Sequence, residues 1–288
     1  MNIYDFRIAG LRIRIETEWP VRMSDNYVPF LCSGEEPWEE TIRITASDDA
    51  PEAWTQLPWH HNSAEIPLKN GEKCIFHRLT ACSPPHSAEI IEGEKERTFC
   101  FFRQQNQLPY TILQVFNNIS VEQLLLRHGI LILHCSLIRR KGEAILFSAP
   151  SGTGKSTQAA LWQQFMGAEI LNGDRAALRE TERGWNAWGI PMAGSSGIYR
   201  NESAPVSALV VLKQGPENAI RRLPVIEAMG KLYPETSLFR EDREWVQKIL
   251  DLLMDLLHTV PVWLLSCRPD REAVELLHGT LKNEVENL

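Results

Sequence analysis

The sequence lacks the features that suit a chain to bulk nucleic-acid binding or to a membrane. Its 30 Lys and Arg residues are outnumbered by 37 Asp and Glu, and the net charge of −7 argues against a nucleic-acid partner held by bulk electrostatics. No apolar run approaches the ~20 residues that a membrane-spanning helix needs. The first residues contain no basic segment that leads into an apolar stretch, so we expect no secretion signal.

Paired cysteine motifs are also missing. The six cysteines stand at 32, 74, 82, 100, 135 and 267, and no two of them form a Cys-x-x-Cys pair. This spacing argues against a zinc site and against a disulfide framework. We therefore expect reduced, mostly buried thiols in a cytoplasmic protein.

What the sequence does contain is enough apolar material for one large or two smaller domains, since 43% of its 288 residues are hydrophobic. Residues 1–107 are predicted to form a mainly antiparallel β module. The runs 6–8, 11–16 and 41–45 alternate apolar with polar or charged residues, which is the period of a half-buried strand. Acidic and proline-containing segments separate these runs.

Residues 108–288 alternate predicted helices and strands, which indicates an α/β domain with a mixed sheet. Helices are expected at 225–232, 240–258 and 270–283, and a buried strand at 206–212. Ser120 to Gln123 fits a capping box that would open a helix ending at Gly129. A hairpin is predicted from the apolar strands 131–138 and 144–147, which are joined by a basic turn.

The segment that follows this hairpin carries the clearest chemistry of the chain. A strand, a glycine-rich loop and a helical pattern succeed one another, which is the context of a phosphate-binding loop (P-loop). Glycines allow backbone N–H groups to turn toward phosphate oxygens, and a helix N-terminus adds positive potential. The predicted nucleotide-binding residues are Ala149, Pro150, Ser151, Gly152, Thr153, Gly154, Lys155, Ser156 and Thr157.

Within this loop, Lys155 can reach the β- and γ-phosphates, and the Ser156 hydroxyl can bind Mg²⁺. We therefore predict ATP and Mg²⁺ as cofactors. The strict motif has glycine where Ala149 stands. The competing interpretation is a glycine-rich turn capped by a helix, with Lys155 as a solvated side chain.

Two further residues are expected near the loop. His134 lies 21 positions before Lys155, across one hairpin, and Asp174 lies 19 positions after it. We expect a strand next to the loop strand to end at Asp174 and to bring its carboxylate near the phosphates. A base or metal ligand at that place is what phosphoryl transfer needs.

The chain contains, in this order, His134-Cys135-Ser136, a hairpin, Ser151-Gly152-Thr153-Gly154-Lys155-Ser156, a helix and Leu171-Asn172-Gly173-Asp174. This order resembles that found in the superfamily of HPr kinase/phosphorylase and ATP-dependent phosphoenolpyruvate carboxykinase. The resemblance covers roughly residues 120–190. The size of the chain and the helix before His134 resemble those of HPr kinase-like proteins, including small homologues associated with peptide-maturation clusters.

The resemblance implies a mixed-sheet P-loop domain in which His134, Lys155 and Asp174 are catalytic. Ser156 and Asp174 would hold the metal. Asp174 matches the first of two adjacent acids in these families, but Arg175 stands where the second is expected. Arg175 then either stabilises transition-state charge, binds an anionic acceptor, or marks weak or absent turnover.

Each of these residues also has a purely structural interpretation. His134 would be a core histidine, Asp174 the cap of a turn, and Cys135 a small buried strand residue rather than a nucleophile. The predicted function is ATP-dependent phosphoryl transfer to a hydroxyl of a small molecule, peptide or protein. The alternative is a nucleotide-binding accessory protein with little or no turnover. The sequence leaves the acceptor and any homo-oligomer open.

Overall fold

The computed structural model describes residues 1–34, 36–60, 62–68, 72–93, 95–105, 108–236 and 243–286. Contacts divide the chain into two compact units, Met1–Ser120 and Val121–Leu288. This division falls after the boundary expected between 107 and 108. In the described part of the chain, no helix combines the length and the apolarity that a membrane span requires.

The first unit is built on an eight-stranded mixed sheet with the order β1-β2-β3-β8-β7-β6-β5-β4. Within the described residues, the pairs β2–β3 and β3–β8 are parallel and the other neighbours are antiparallel. The strands are β1 (Asn2–Ile8), β2 (Leu11–Thr17), β3 (Glu40–Ser47), β4 (Trp59–His60), β5 (Ser63–Pro67), β6 (Lys73–Arg78), β7 (Pro85–Glu92) and β8 (Glu96–Phe102).

A short helix, α1 (Ile112–Asn118), completes this unit. Its Phe116 ring stacks on Tyr27 at 4.8 Å between centroids and meets the edge of Phe6 at 5.2 Å. Thr111 and Gln114 form a capping box at its start. The capping box predicted at Ser120 is wrong, because Ser120 has a φ of 51° rather than the extended backbone of an N-cap.

The second unit contains eight strands and five α-helices within the described residues. The strands are β9 (Ile130–Arg140), β10 (Glu143–Ser148), β11 (Glu169–Asn172), β12 (Arg175–Thr181), β13 (Gly184–Gly189), β14 (Ser203–Gln214), β15 (Ala219–Arg222) and β16 (Val262–Cys267). The helices are α2 (Val121–Arg127), α3 (Lys155–Met166), α4 (Val225–Leu232), α5 (Arg243–Thr259) and α6 (Arg271–Glu286).

The sheet of this unit has the order β10-β9-β12-β13-β14-β16-β15, with β11 paired to β9. Because β10 also pairs with β14, strands β9, β12, β13, β14 and β10 form a closed circuit of pairings. Strands β10, β14 and β16 are mutually parallel, so their carboxyl ends lie at one edge of the sheet. The carboxyl ends of parallel strands are where α/β proteins bind ligands, in barrels as well as in open sheets.

Helices pack on both faces of this sheet, and adjacent residues of one strand can contact different helices because successive side chains point to opposite sides. Leu146 belongs to a buried cluster that also contains residues of α4 and α5. Its neighbour Phe147 belongs to the opposite cluster, where it packs near Trp162 of α3 and Leu277 of α6. The unit is therefore a mixed α/β structure, as the alternating pattern predicted.

Candidate active site

The glycine-rich loop connects the carboxyl end of β10 to the first residue of α3. Gly152 and Gly154 have φ angles of 79° and 115°, a backbone region that glycine enters without steric cost. Helix α3 begins at Lys155, so the first N–H groups of the helix face the loop. The predicted succession of strand, loop and helix is present.

Lys155 is buried, with only 7% of its surface exposed. Its Nζ donates hydrogen bonds to the carbonyl oxygens of Ala149, at 2.7 Å, and Pro150, at 3.4 Å. Burial lowers the pKa of the ammonium, while the negative charges of Glu235 and Asp174 act in the opposite direction. The interpretation of Lys155 as a solvated side chain is wrong, and its charge lies within reach of two carboxylates.

His134 lies on β9 between these same carboxylates. Its Nδ1 is 2.8 Å from Oε2 of Glu235, and its Nε2 is 4.0 Å from Oδ1 of Asp174. About 30% of the imidazole side chain is exposed. The ring is therefore accessible at the edge of the sheet and has an acidic group on either side.

Asp174 is positioned by the side chain of Asn172, which is completely buried. The Asn172 Oδ1 accepts hydrogen bonds from the backbone N–H groups of Asp174, at 2.9 Å, and Arg175, at 3.0 Å. Its Nδ2 donates to the carbonyl oxygens of Ile190, at 2.8 Å, and Met192, at 3.0 Å. One amide thus joins the turn that carries Asp174 to the loop after β13.

The same turn is also bonded to β9. The N–H of Cys135 donates to the Asp174 carbonyl at 3.0 Å, and the Ser136 hydroxyl donates to the Gly173 carbonyl at 3.1 Å. On its other side, a Cβ added at Gly194 would lie 2.5 Å from the Asp174 carboxylate. Asp174 is therefore packed tightly between β9 and the 194–196 turn.

The strand that precedes Asp174 is not the neighbour of the loop strand that we expected. Strand β11 pairs with β9, and β9 lies between β11 and β10. Asp174 reaches the loop end because the chain leaves β11 at Asn172 and re-enters the sheet at Arg175, directly opposite His134. The prediction that the strand before Asp174 lies next to the loop strand is wrong, but the side chains of Asp174 and His134 still approach each other.

Arg175 is held by acids on both sides. Its Nε lies 3.4 Å from Oδ2 of Asp174, and its Nη1 lies 3.5 Å from Oε1 of Glu122 on α2. With 38% of the side chain exposed, each pair contributes at most about 1 kcal/mol. The guanidinium therefore orients Asp174 more than it stabilises the fold.

Glu235 is the site residue that the sequence did not reveal. It stands 101 positions after His134, at the end of a short 3-10 helix (Tyr233–Glu235) that follows α4. Only 10% of its side chain is exposed. No local motif distinguishes it from other acids, since only the tertiary fold brings it to His134.

Cys135 has the structural role that was expected of it. Its side chain is fully buried, and this burial raises the pKa of the thiol far above its ordinary value. The thiolate needed for nucleophilic attack is therefore scarce. Among the described residues, no group of three or more His, Cys, Asp or Glu side chains could hold a metal ion alone.

Comparisons with known proteins identify a family, whereas the similarity to a solved structure is distant. The HPr(Ser) kinase/phosphatase from Coxiella burnetii is similar at 12% identity, over 54% of this chain and 98% of that chain. The TM-score of 0.32 is too low to establish a shared fold or activity. No curated protein matches the chain in sequence. Residues 99–286, nearly two thirds of the chain, match the model of the SynChlorMet cassette protein ScmC, and the chain therefore belongs to the ScmC family.

Proposed function

We propose that the second unit is a P-loop kinase domain related to HPr kinase. It binds ATP with Mg²⁺ through residues 149–157 and transfers the γ-phosphoryl group to a hydroxyl of a small molecule, peptide or protein. The observation that carries this proposal is the convergence of His134, Lys155 and Asp174. Nε2 of His134 and Oδ1 of Asp174 lie 4.0 Å apart, and the negative charge of Asp174 acts on the Lys155 ammonium.

The loop supplies the groups that a triphosphate requires. Backbone N–H groups at the start of α3 and the partial positive charge of the helix terminus favour phosphate oxygens. Ser151 and Gly152 are exposed, so a polyanion can approach the loop. The Lys155 ammonium would exchange its carbonyl partners Ala149 and Pro150 for the β- and γ-phosphates.

The donors present also fit Mg²⁺. This ion prefers oxygen ligands, and it usually binds through one or two carboxylates together with substrate phosphates. The Ser156 hydroxyl is exposed in the first turn of α3, and the Asp174 carboxylate is partly exposed at the same edge of the sheet. These two residues would hold the metal, which when bound neutralises charge on the phosphates.

Phosphoryl transfer would then depend on position and electrostatics. The acceptor hydroxyl loses its proton to His134 or Asp174 as its oxygen bonds to the γ-phosphorus. The bond from phosphorus to the β–γ bridging oxygen breaks, and ADP departs with that electron pair. Lys155 stabilises the charge on the phosphates during this exchange.

The second candidate function is an accessory protein that binds a nucleotide but turns it over slowly or not at all. The pairing of Arg175 with Asp174 favours it, because a guanidinium 3.4 Å from the carboxylate competes with a metal ion for the same oxygens. The two functions share the nucleotide site and differ only in turnover.

Nucleotide binding is tested with the full chain and Lys155→Met, which keeps most of the buried side-chain volume. Hydrogen bonds to charged groups contribute about 1.5–3 kcal/mol, so we expect roughly 10- to 150-fold weaker binding of Mg²⁺-ATP by calorimetry. Lys231→Met, at an exposed position of α4, is the matched control and should bind like the parent. Parental affinity in Lys155→Met would refute the loop assignment.

Turnover separates the two candidate functions. ADP and phosphate are measured with Mg²⁺-ATP alone and with candidate acceptors, which are sought first among the other products of the cassette that gives the family its name. Phosphoryl transfer to one of them supports the kinase. Tight binding without ADP formation under any of these conditions supports the accessory protein.

A further inference from the structure

The interaction between Glu235 and His134 has the geometry of a directed hydrogen bond. The distance of 2.8 Å between Oε2 and Nδ1 is that of a charge-assisted bond, whereas Asp174 stands 4.0 Å from the other ring nitrogen. The Glu235 side chain is 10% exposed, a third of the exposure of His134. A carboxylate this buried is costly unless it is paired, and the imidazole is its hydrogen-bond partner.

The backbone holds Glu235 in this place. Thr236, the next residue, forms an antiparallel bridge with Leu133, which precedes His134 on β9. The Thr236 N–H and hydroxyl both bond to the carbonyl oxygen of Tyr233, at 3.1 and 2.7 Å, which closes the short helix. Pro234 further restricts its backbone. The approach of Glu235 to His134 is therefore built into the fold.

This contact determines which ring nitrogen carries the proton. An ionised carboxylate can only accept hydrogen bonds, so Nδ1 of His134 must donate to Glu235. In the neutral imidazole the other nitrogen, Nε2, then holds the lone pair. That nitrogen is on the side of Asp174, which the proposed function places beside the γ-phosphate.

We propose that Glu235 is a positioning residue that fixes the Nδ1–H tautomer of His134 and so makes Nε2 the atom that accepts the acceptor's proton. The inference rests on the proposed function. The O–H bond of the acceptor breaks and its proton goes to Nε2, while the O–P bond forms and ADP leaves with the electron pair of the broken P–O bond. The imidazolium is stabilised by Glu235 and Asp174, and later returns the proton to water.

Glu235 thereby supplies the second acid that is missing at position 175. With His134 as the proton acceptor, Asp174 is left to bind the metal, and one carboxylate no longer has to do both. In the described part of the chain, the cations that face these acids are the ammonium of Lys155 and the guanidinium of Arg175. The two cations offset the negative charge of the acids. Neither competes with Glu235 for the Nδ1 proton, because neither cation can accept a hydrogen bond.

The tautomer is measured directly on the full chain labelled with ¹⁵N-histidine, by long-range ¹H–¹⁵N correlation at about pH 9, where free imidazole is neutral. His134→Gln assigns the signal. We expect a protonated Nδ1 in the parent. Glu235→Leu removes the acceptor, so the proton should move to Nε2, where Asp174 can accept it. Glu235→Gln keeps an amide oxygen and should retain the parental tautomer.

Glu227 on α4 forms an ion pair outside this cluster. Glu227→Leu is therefore the matched control and should leave the tautomer of His134 unchanged. Phosphate release from Mg²⁺-ATP, with water as the acceptor, should fall about 100-fold in Glu235→Leu at unchanged ATP affinity. The proposal would be overturned by an Nε2–H tautomer in the parent or by an unchanged tautomer in Glu235→Leu. It would also be overturned if Glu235→Leu shifted the tautomer but released phosphate at the parental rate. Failure of the parent to bind ATP would refute the proposed function alone, because the tautomer needs no nucleotide.

Discussion

Asn172→Ala is the substitution that best tests how the candidate site is held together. The Asn172 side chain is fully buried and makes four hydrogen bonds to backbone groups of two separate segments. Alanine removes all four and leaves two N–H groups and two carbonyl oxygens without these partners. The turn that carries Asp174 then loses its connection to the loop after β13.

The expected loss in the free energy of unfolding follows from those four hydrogen bonds. Each contributes about 0.5–1.5 kcal/mol net, and a buried group left without a partner costs about 1–3 kcal/mol. The N–H groups of Asp174 and Arg175 lie in a partly exposed turn where water can replace the amide. We therefore expect a loss of about 2–4 kcal/mol, which lowers the melting temperature of a unit of this size by roughly 5–15 °C.

The assay is thermal unfolding of the full chain by tryptophan fluorescence and far-UV circular dichroism. Asn186→Ala is the control, because its partly buried amide makes bonds of 3.0 Å to Thr181 and 3.3 Å to Gly184 within a single hairpin, near its turn. It should lower the midpoint by no more than about 4 °C, from a loss of about 1 kcal/mol. Equal, small shifts in the two variants would refute the role assigned to Asn172.

Two further predictions concern the side chains beside Asp174. His134→Ala should bind Mg²⁺-ATP within about two-fold of the parent and lose about 100-fold or more of any phosphoryl transfer, measured with γ-labelled ATP; full transfer would contradict its proposed role. Because burial raises the pKa of Cys135, a thiol reagent at about pH 8 should label exposed Cys82 quickly and Cys135 only after denaturation. Rapid labelling of Cys135 in the folded chain, identified by peptide mass, would contradict its burial.

Much of the second unit could be predicted because its signals are local. The apolar strand before Ala149, the glycines at 152 and 154, and the helical pattern after Lys155 are adjacent in sequence, and the structure places β10, the loop and α3 there. Helix α4 spans the predicted residues 225–232 for the same reason. Periodicity and turn residues are sufficient for elements of this kind.

Strand pairing and distant contacts could not be predicted from such signals. The expectation that Asp174 ends a strand next to β10 failed because the sheet inserts β9 between them, and pairing partners are not encoded in local periodicity. The capping motif at Ser120 failed because this residue adopts a φ of 51°, which the sequence pattern did not indicate. Glu235 was missed because a bridge between Leu133 and Thr236, about 100 residues apart, brings it to His134.

The position of Arg175 narrows the hypotheses that its sequence left open. Its Nε and Nη1 lie near Asp174 and Glu122, so an anionic acceptor would compete with these acids for the guanidinium. Among the residues that the structure describes, the linked acids Glu122, Asp174 and Glu235 outnumber the cations Lys155 and Arg175 by one, so this described part of the site is slightly acidic. Under the proposed function, the metal ion would add positive charge beside Asp174, and Arg175 would orient that carboxylate instead of anchoring the acceptor.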